Sequence, residues 1–186
     1  MATALGTRRF TVDEYYRMAA AGILGKDDRV ELLDGLIVPM TPIGARHAAC
    51  VKRLNALLHR RLGDTVLLGV QDPVTLGPYW EPQPDIAVLR PQPDCYGTRH
   101  PAPDDVLLLI EVADASAAGD RTDKLPGYAA AGVAEVWLVD LEADRVEVYR
   151  SPAPDGYREV RLLRRGEAMA GLLVPTGEIA VGKILG

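Results

Sequence analysis

Two carboxylates and one lysine stand out by their position in the chain. Val106 to Ile110 is an unbroken apolar run, short enough for a strand. A strand apolar on both faces is normally central, with other layers covering it on each side. Glu111 follows at the downstream end of that run, and Asp85 opens a second short apolar run, Ile86-Ala87-Val88-Leu89. Placing a carboxylate beside such a core is costly unless it is paired, protonated or bound to a metal. Thirteen residues after Glu111 comes Lys124. Carboxylates at the ends of two core strands, with a lysine on the following helix, could hold a metal ion and a phosphate. Taken alone, Asp85 also fits a turn-favouring residue before a strand.

Other elements must bring these groups together. Phe10 to Tyr15 carries a capping box, Thr11 with Glu14, opening a helix that Gly22 closes. Residues 29–40 read as a hairpin around Asp34-Gly35, the pair that supplies the positive φ angles of a tight turn. Glu31 lies near the start of that hairpin among apolar residues, where a solvent-facing strand residue and a site residue both fit. Residues 47–62 form an amphipathic helix whose stripe is Val51, Leu54, Leu58 and Leu62. Lys52, Arg53 and Arg60 fall opposite the stripe. A solvated face explains them, and their single sign of charge also suits a face that follows phosphates. His47, at the helix start, fits a cap, a packed residue or an extra site contact.

Further on, residues 66–76 read as a strand or hairpin arm, and residues 91–105 as a proline-rich loop. A helix is expected from about Asp120 to Ala131, capped by Asp123, so that Pro126 falls in the first turn where N–H groups have no partner. Residues 135–141 and 145–150 form a strand pair. Residues 157–186 read as short strands and turns without site residues.

Composition narrows the classes. At 186 residues the chain is long enough for a sizeable core, and one domain over 1–186 is the expectation. Net charge is −5, which argues against coating nucleic acid through bulk charge but not against a nuclease whose carboxylates hold a metal. No apolar run reaches membrane-spanning length, so no membrane association is expected. The first residues lack the apolar core of a secretory signal. Cys50 and Cys95 show no zinc pattern and read as free thiols in a reducing compartment, which points to the cytoplasm.

In order, the middle of the chain is helix, three strands, helix, strand, at 47–62, 66–76, 85–90, 106–112, 121–131 and 135–140. With Asp85, Glu111 and Lys124 in those places it resembles the PD-(D/E)xK nuclease superfamily. More closely, it is similar to the widespread bacterial restriction-endonuclease-related family of Uma-two type. The carrying segments are Glu31-Leu32-Leu33-Asp34-Gly35, Pro84-Asp85-Ile86-Ala87-Val88, Ile110-Glu111-Val112, Asp120-Arg121 with Lys124 and Tyr128, and Gly132 to Asp140. The resemblance implies an α/β (α+β) fold with a restriction-endonuclease-like core: a mixed central sheet flanked by helices, an N-terminal helix and hairpin, and a C-terminal β extension. In the superfamily motif a lysine stands two residues after the glutamate. Here that position is Ala113, and the resemblance implies that Lys124 takes the role from the neighbouring helix.

The implied activity is Mg²⁺-dependent hydrolysis of DNA phosphodiester bonds, with Mn²⁺ as a substitute metal. Asp85, Glu111 and the Val112 carbonyl would be ligands, Lys124 would act on the attacking water and the phosphate, and Glu31 would complete the metal shell. Cutting both strands calls for two sites, so a homodimer is expected. The rival reading is a non-catalytic nucleic-acid-binding or interaction module on the same fold. A two-carboxylate glycoside hydrolase is disfavoured by the low aromatic content, and a purely structural protein would leave Glu111 unexplained.

Overall fold

The apolar run at 106–110 forms the centre of a sheet. In the computed structural model, which describes residues 7–25, 27–114 and 116–186, it lies within strand β5, Val106–Ala113, whose eight residues are all buried. The elements before it are α1 (Val12–Ala20), β1 (Val30–Leu33), β2 (Leu36–Pro39), α2 (Ala45–Leu62), β3 (Leu67–Gly69) and β4 (Ile86–Leu89). After it come α3 (Ala117–Gly119), a π-helical turn (Asp120–Lys124), α4 (Leu125–Ala130), β6 (Glu135–Asp140), β7 (Arg145–Ala153), β8 (Gly156–Arg164), β9 (Ala168–Met169), β10 (Ile179–Ala180) and α5 (Val181–Leu185).

Six strands form one mixed sheet in the order β3-β4-β5-β6-β7-β8. Only β5 and β6 run parallel within it. A parallel pair needs a crossover, and the helical run 117–130 supplies it. Leu108, Ile110 and Val112 join a core with Val51, Leu54 and Leu58 of α2. Leu109 faces the other way, onto Leu125, Tyr128 and Val136. Each fully buried leucine in these layers contributes about 1.5–3 kcal/mol of hydrophobic stabilisation.

Thr11 and Glu14 close the expected capping box on α1. The β1–β2 turn is built as read, with Asp34 and Gly35 at φ 49° and 77°. A side chain at Gly35 would also strike Arg9, whose Cβ lies 2.6 Å from where the added carbon would sit.

Three expectations are corrected. The strand at 66–76 shrinks to β3, because Gln71 turns left-handed (φ 58°) and Pro73 lacks a ladder donor. The chain from there to residue 85 is held by local bonds such as Leu76 N–H to Trp80 O (2.9 Å). Second, the helix after β5 begins at Ala117, not Asp120, and Asp123 is not its cap. Its five residues 120–124 form the π-turn, closed by Leu125 N–H to Asp120 O. The turn lies just before Pro126, which has no N–H for an α-helical bond. Third, the C-terminal part holds a nine-residue strand, β8, and a helix, α5. Ile184 and Leu185 bury α5 in the α2-side core.

Candidate active site

The β4–β5 register builds the site. Ile86 is paired with Ile110, so Asp85 stands opposite Glu111 where β4 begins and β5 runs on. Asp85 is 7% exposed. Its Oδ2 accepts the Val112 N–H (2.8 Å) and lies 2.9 Å from His47 Nε2, while Oδ1 accepts Gln71 Nε2 (3.2 Å). The Asp85 bond raises the His47 pKa against the opposing effect of burial. His47 Nδ1 is buried with no partner among the described residues.

Glu111 is held from the opposite side. Its Oε1 accepts the Tyr128 hydroxyl (2.5 Å) and the Lys124 ammonium (3.4 Å). Burial pushes the Glu111 carboxyl well above the usual carboxylate range, and the nearby Lys124 charge offsets part of that. Lys124, itself buried, also sits 3.1 Å from Glu31 Oε2. Burial opposes its charge, yet Glu111, Glu31 and Asp120 outweigh that and keep it an ammonium. Glu31 Oε2 further accepts the Gln83 N–H (3.0 Å). The hairpin, the central strand and the crossover helix therefore meet at one ammonium group.

The five groups expected at the centre, Glu31, Asp85, Glu111, Val112 and Lys124, line one cavity of about 120 Å³, and His47, expected only as an extra or DNA contact, lines it with them. Glu31 is buried rather than solvent-facing. Lys52, Arg53 and Arg60 lie elsewhere, beside α5. Arg53 donates to the carbonyls of Ile184 (3.2 Å) and Leu185 (2.6 Å), so its guanidinium holds down the end of α5.

Two further residues belong to the centre. Asp120 lines the cavity, accepts the Ser116 hydroxyl (3.2 Å), and has a pKa raised by burial. Tyr128 fixes Glu111. Asp120, Lys124 and Tyr128 recur every fourth residue, a spacing that puts side chains on one helix face, and that spacing was the signal available in the sequence. Arg121 leans the other way, onto Asp140 (2.6 Å) and Glu147 (2.6 and 3.0 Å), and so fastens the π-turn to β6 and β7.

Among the described residues, no three His, Cys, Asp or Glu side chains form a metal-holding group. The donors that could hold a cation are the Asp85 and Glu111 carboxylates and the Val112 carbonyl. Val112 directs its N–H toward Asp85, and in a strand a residue's carbonyl points to the same side as its N–H. This all-oxygen set suits a hard ion such as Mg²⁺ or Mn²⁺, which keeps several of its waters. Four acidic side chains against Arg29, Lys124 and His47 leave the cavity wall with more acidic than basic groups.

Residues 12–182 match a family described as "Putative restriction endonuclease" (Uma2). Among solved structures, the chain is similar to a crystal structure from Anabaena variabilis titled a putative nuclease belonging to DUF820. The TM-score is 0.71 at 14% identity, over 95% of this chain and 97% of that one, a likeness of fold. No curated protein sequence matches the chain. No helix among the described residues is long and apolar enough to cross a membrane.

Proposed function

Because the chain belongs to the Uma2 restriction-endonuclease family, we propose that it is a metal-dependent endonuclease hydrolysing DNA phosphodiester bonds at the Asp85–Glu111–Lys124 cavity. The observation that carries this reading is the meeting of those three side chains at the ends of β4 and β5. A bound Mg²⁺ or Mn²⁺ would polarise a phosphoryl oxygen and lower the pKa of its water. Asp85 and Glu111, with the Val112 carbonyl, are the residues that would hold it.

The remaining chemistry belongs to the chain's own groups. Tyr128 and Lys124 engage Glu111 Oε1 and so fix the direction of that carboxylate. His47 and Gln71 do the same for Asp85. The Lys124 ammonium is placed to hold an attacking water and to offset charge building on the phosphate. Glu31 orients Lys124 and contributes to the metal shell through water. A DNA substrate implies work in the cytoplasm, and cutting both strands calls for a pair of copies.

The test is cleavage of duplex DNA with Mg²⁺ and with Mn²⁺ by wild type and by Lys124→Met, with folding of each checked by circular dichroism. Cleavage by the wild type alone supports the reading. Equal cleavage by a folded Lys124→Met removes Lys124 from the chemistry. A wild type inactive with both metals favours the non-catalytic module.

A further inference from the structure

Strand β8 is the last strand of the six-stranded sheet, and its outer edge has no strand partner among the described residues. It is nine residues long, Gly156–Arg164, and regular against β7 from Glu159 to Arg164. Long exposed edges offer a row of unpaired N–H and C=O groups, and proteins usually shorten, bulge or cover them. This one also carries exposed apolar side chains, Val160 at 48% and Leu162 at 55%. They stand opposite Tyr149 and Glu147 of β7, while Leu163 turns inward to the α2-side core.

The charges along the edge select an occupant. In an antiparallel pairing of β8 with its own copy centred on Val160, Glu159 of each strand faces Arg161 of the other. Val160 then faces Val160, and Arg158 faces Leu162. Both Glu159 and Arg161 are exposed. Sliding the centre by one residue, to Arg161, sets Arg161 against Arg161 and Arg158 against Arg164. Directly opposed like charges are destabilising, and opposite charges are favourable. The sequence of the edge thus accepts one symmetric register and rejects its neighbour.

We propose that β8 is a self-association edge. Two copies pair antiparallel about Val160, and the two six-stranded sheets become one continuous sheet with two-fold symmetry. This rests on the proposed function only for the need of two cutting centres. Its test reads association and not cleavage, so failure here leaves the metal site untouched.

The experiment is analytical ultracentrifugation of wild type, Glu159→Arg, Arg161→Glu and the double swap Glu159→Arg/Arg161→Glu. Each single reversal places like charges at two symmetric positions and should weaken the dimer by about tenfold or more. The double swap recreates both pairs and should restore association. A second measurement uses Val160→Cys with Cys95→Ser, Cys50 being buried. The symmetric register brings the two new thiols together, so mild oxidation should yield a covalent dimer. A monomeric wild type, a dimer that both reversals leave intact, or a double swap that stays dissociated would overturn the proposal, as would failure of the thiols to join.

Discussion

Replacing Lys124 by Met keeps most of the side-chain volume and removes the ammonium that lies within 3.4 Å of both Glu31 and Glu111. Glu111 then loses the main positive charge beside it in a buried site, and it escapes by keeping a proton. At pH 7 that requires holding a carboxyl neutral some 2.7 units above its free value, which costs about 3.7 kcal/mol. Burial already raises wild-type Glu111 to about 8, so at pH 7 this cost is present before the substitution. The expected loss at neutral pH therefore comes from Glu31, which loses the ammonium 3.1 Å away, and is about 3–5 kcal/mol for a buried pair broken by removing one partner. The sign follows from proton binding. A carboxyl raised on folding binds more protons in the folded state, so stability is fully present below the unfolded value near 4.3 and is lost as pH rises toward the folded value. Removing Lys124 raises Glu111 further and carries that loss to higher pH. Urea denaturation of metal-free wild type and variant, from about pH 6 to about pH 10, should show a gap that is constant below the wild-type folded value of about 8 and widens above it, by at most about 1.4 kcal/mol per unit. A gap constant over that range would mean that Lys124 and Glu111 are not electrostatically coupled, and the reasoning fails.

Asp85→Asn should destabilise the metal-free protein by about 1–3 kcal/mol, because Asp85 accepts from Val112, His47 and Gln71 and an amide would turn an N–H₂ toward one of these donors. A raised melting temperature would instead show that repulsion from Glu111 dominates. Gly127→Ala should cost about 1–3 kcal/mol as overpacking, since the added carbon would lie 2.3 Å from the Trp80 ring; thermal melts that match wild type would refute the close contact. Lys52→Ala with Arg60→Ala, if both touch phosphates, should make the slope of log K against log salt shallower by about 1.8 on duplex DNA. An unchanged slope in fluorescence anisotropy would mean a merely solvated face. Arg53 is left out of that variant because its loss would free the end of α5.

The parts legible in the sequence are those set by local chemistry or by strong burial. The capping box of α1, the Asp34-Gly35 turn, the stripe of α2 and the apolar runs of β4 and β5 each carry their own signal. Asp85 and Glu111 could be singled out because charge beside a core strand needs an explanation. What stayed hidden depends on contacts distant in sequence. Glu31 fits a solvent-facing residue until the hairpin is packed against the crossover helix 93 residues away, where it meets Lys124. The role of Arg53 depends on α5, a five-residue helix too short to declare a periodicity. The π-turn has no propensity signature beyond Pro126. By moving the helix start back to Ala117, it makes Lys124 a residue within the helical run instead of a first-turn lysine, so the helix dipole does not bear on it.

The central claim is that Asp85 and Glu111 hold a divalent ion. Its most direct measurement is a Mn²⁺ titration of wild type and Glu111→Gln, followed by electron paramagnetic resonance and by calorimetry. The account predicts saturable binding by the wild type that is abolished in Glu111→Gln, with the variant still folded. Equal Mn²⁺ binding by the two proteins, or none by the wild type, would contradict it.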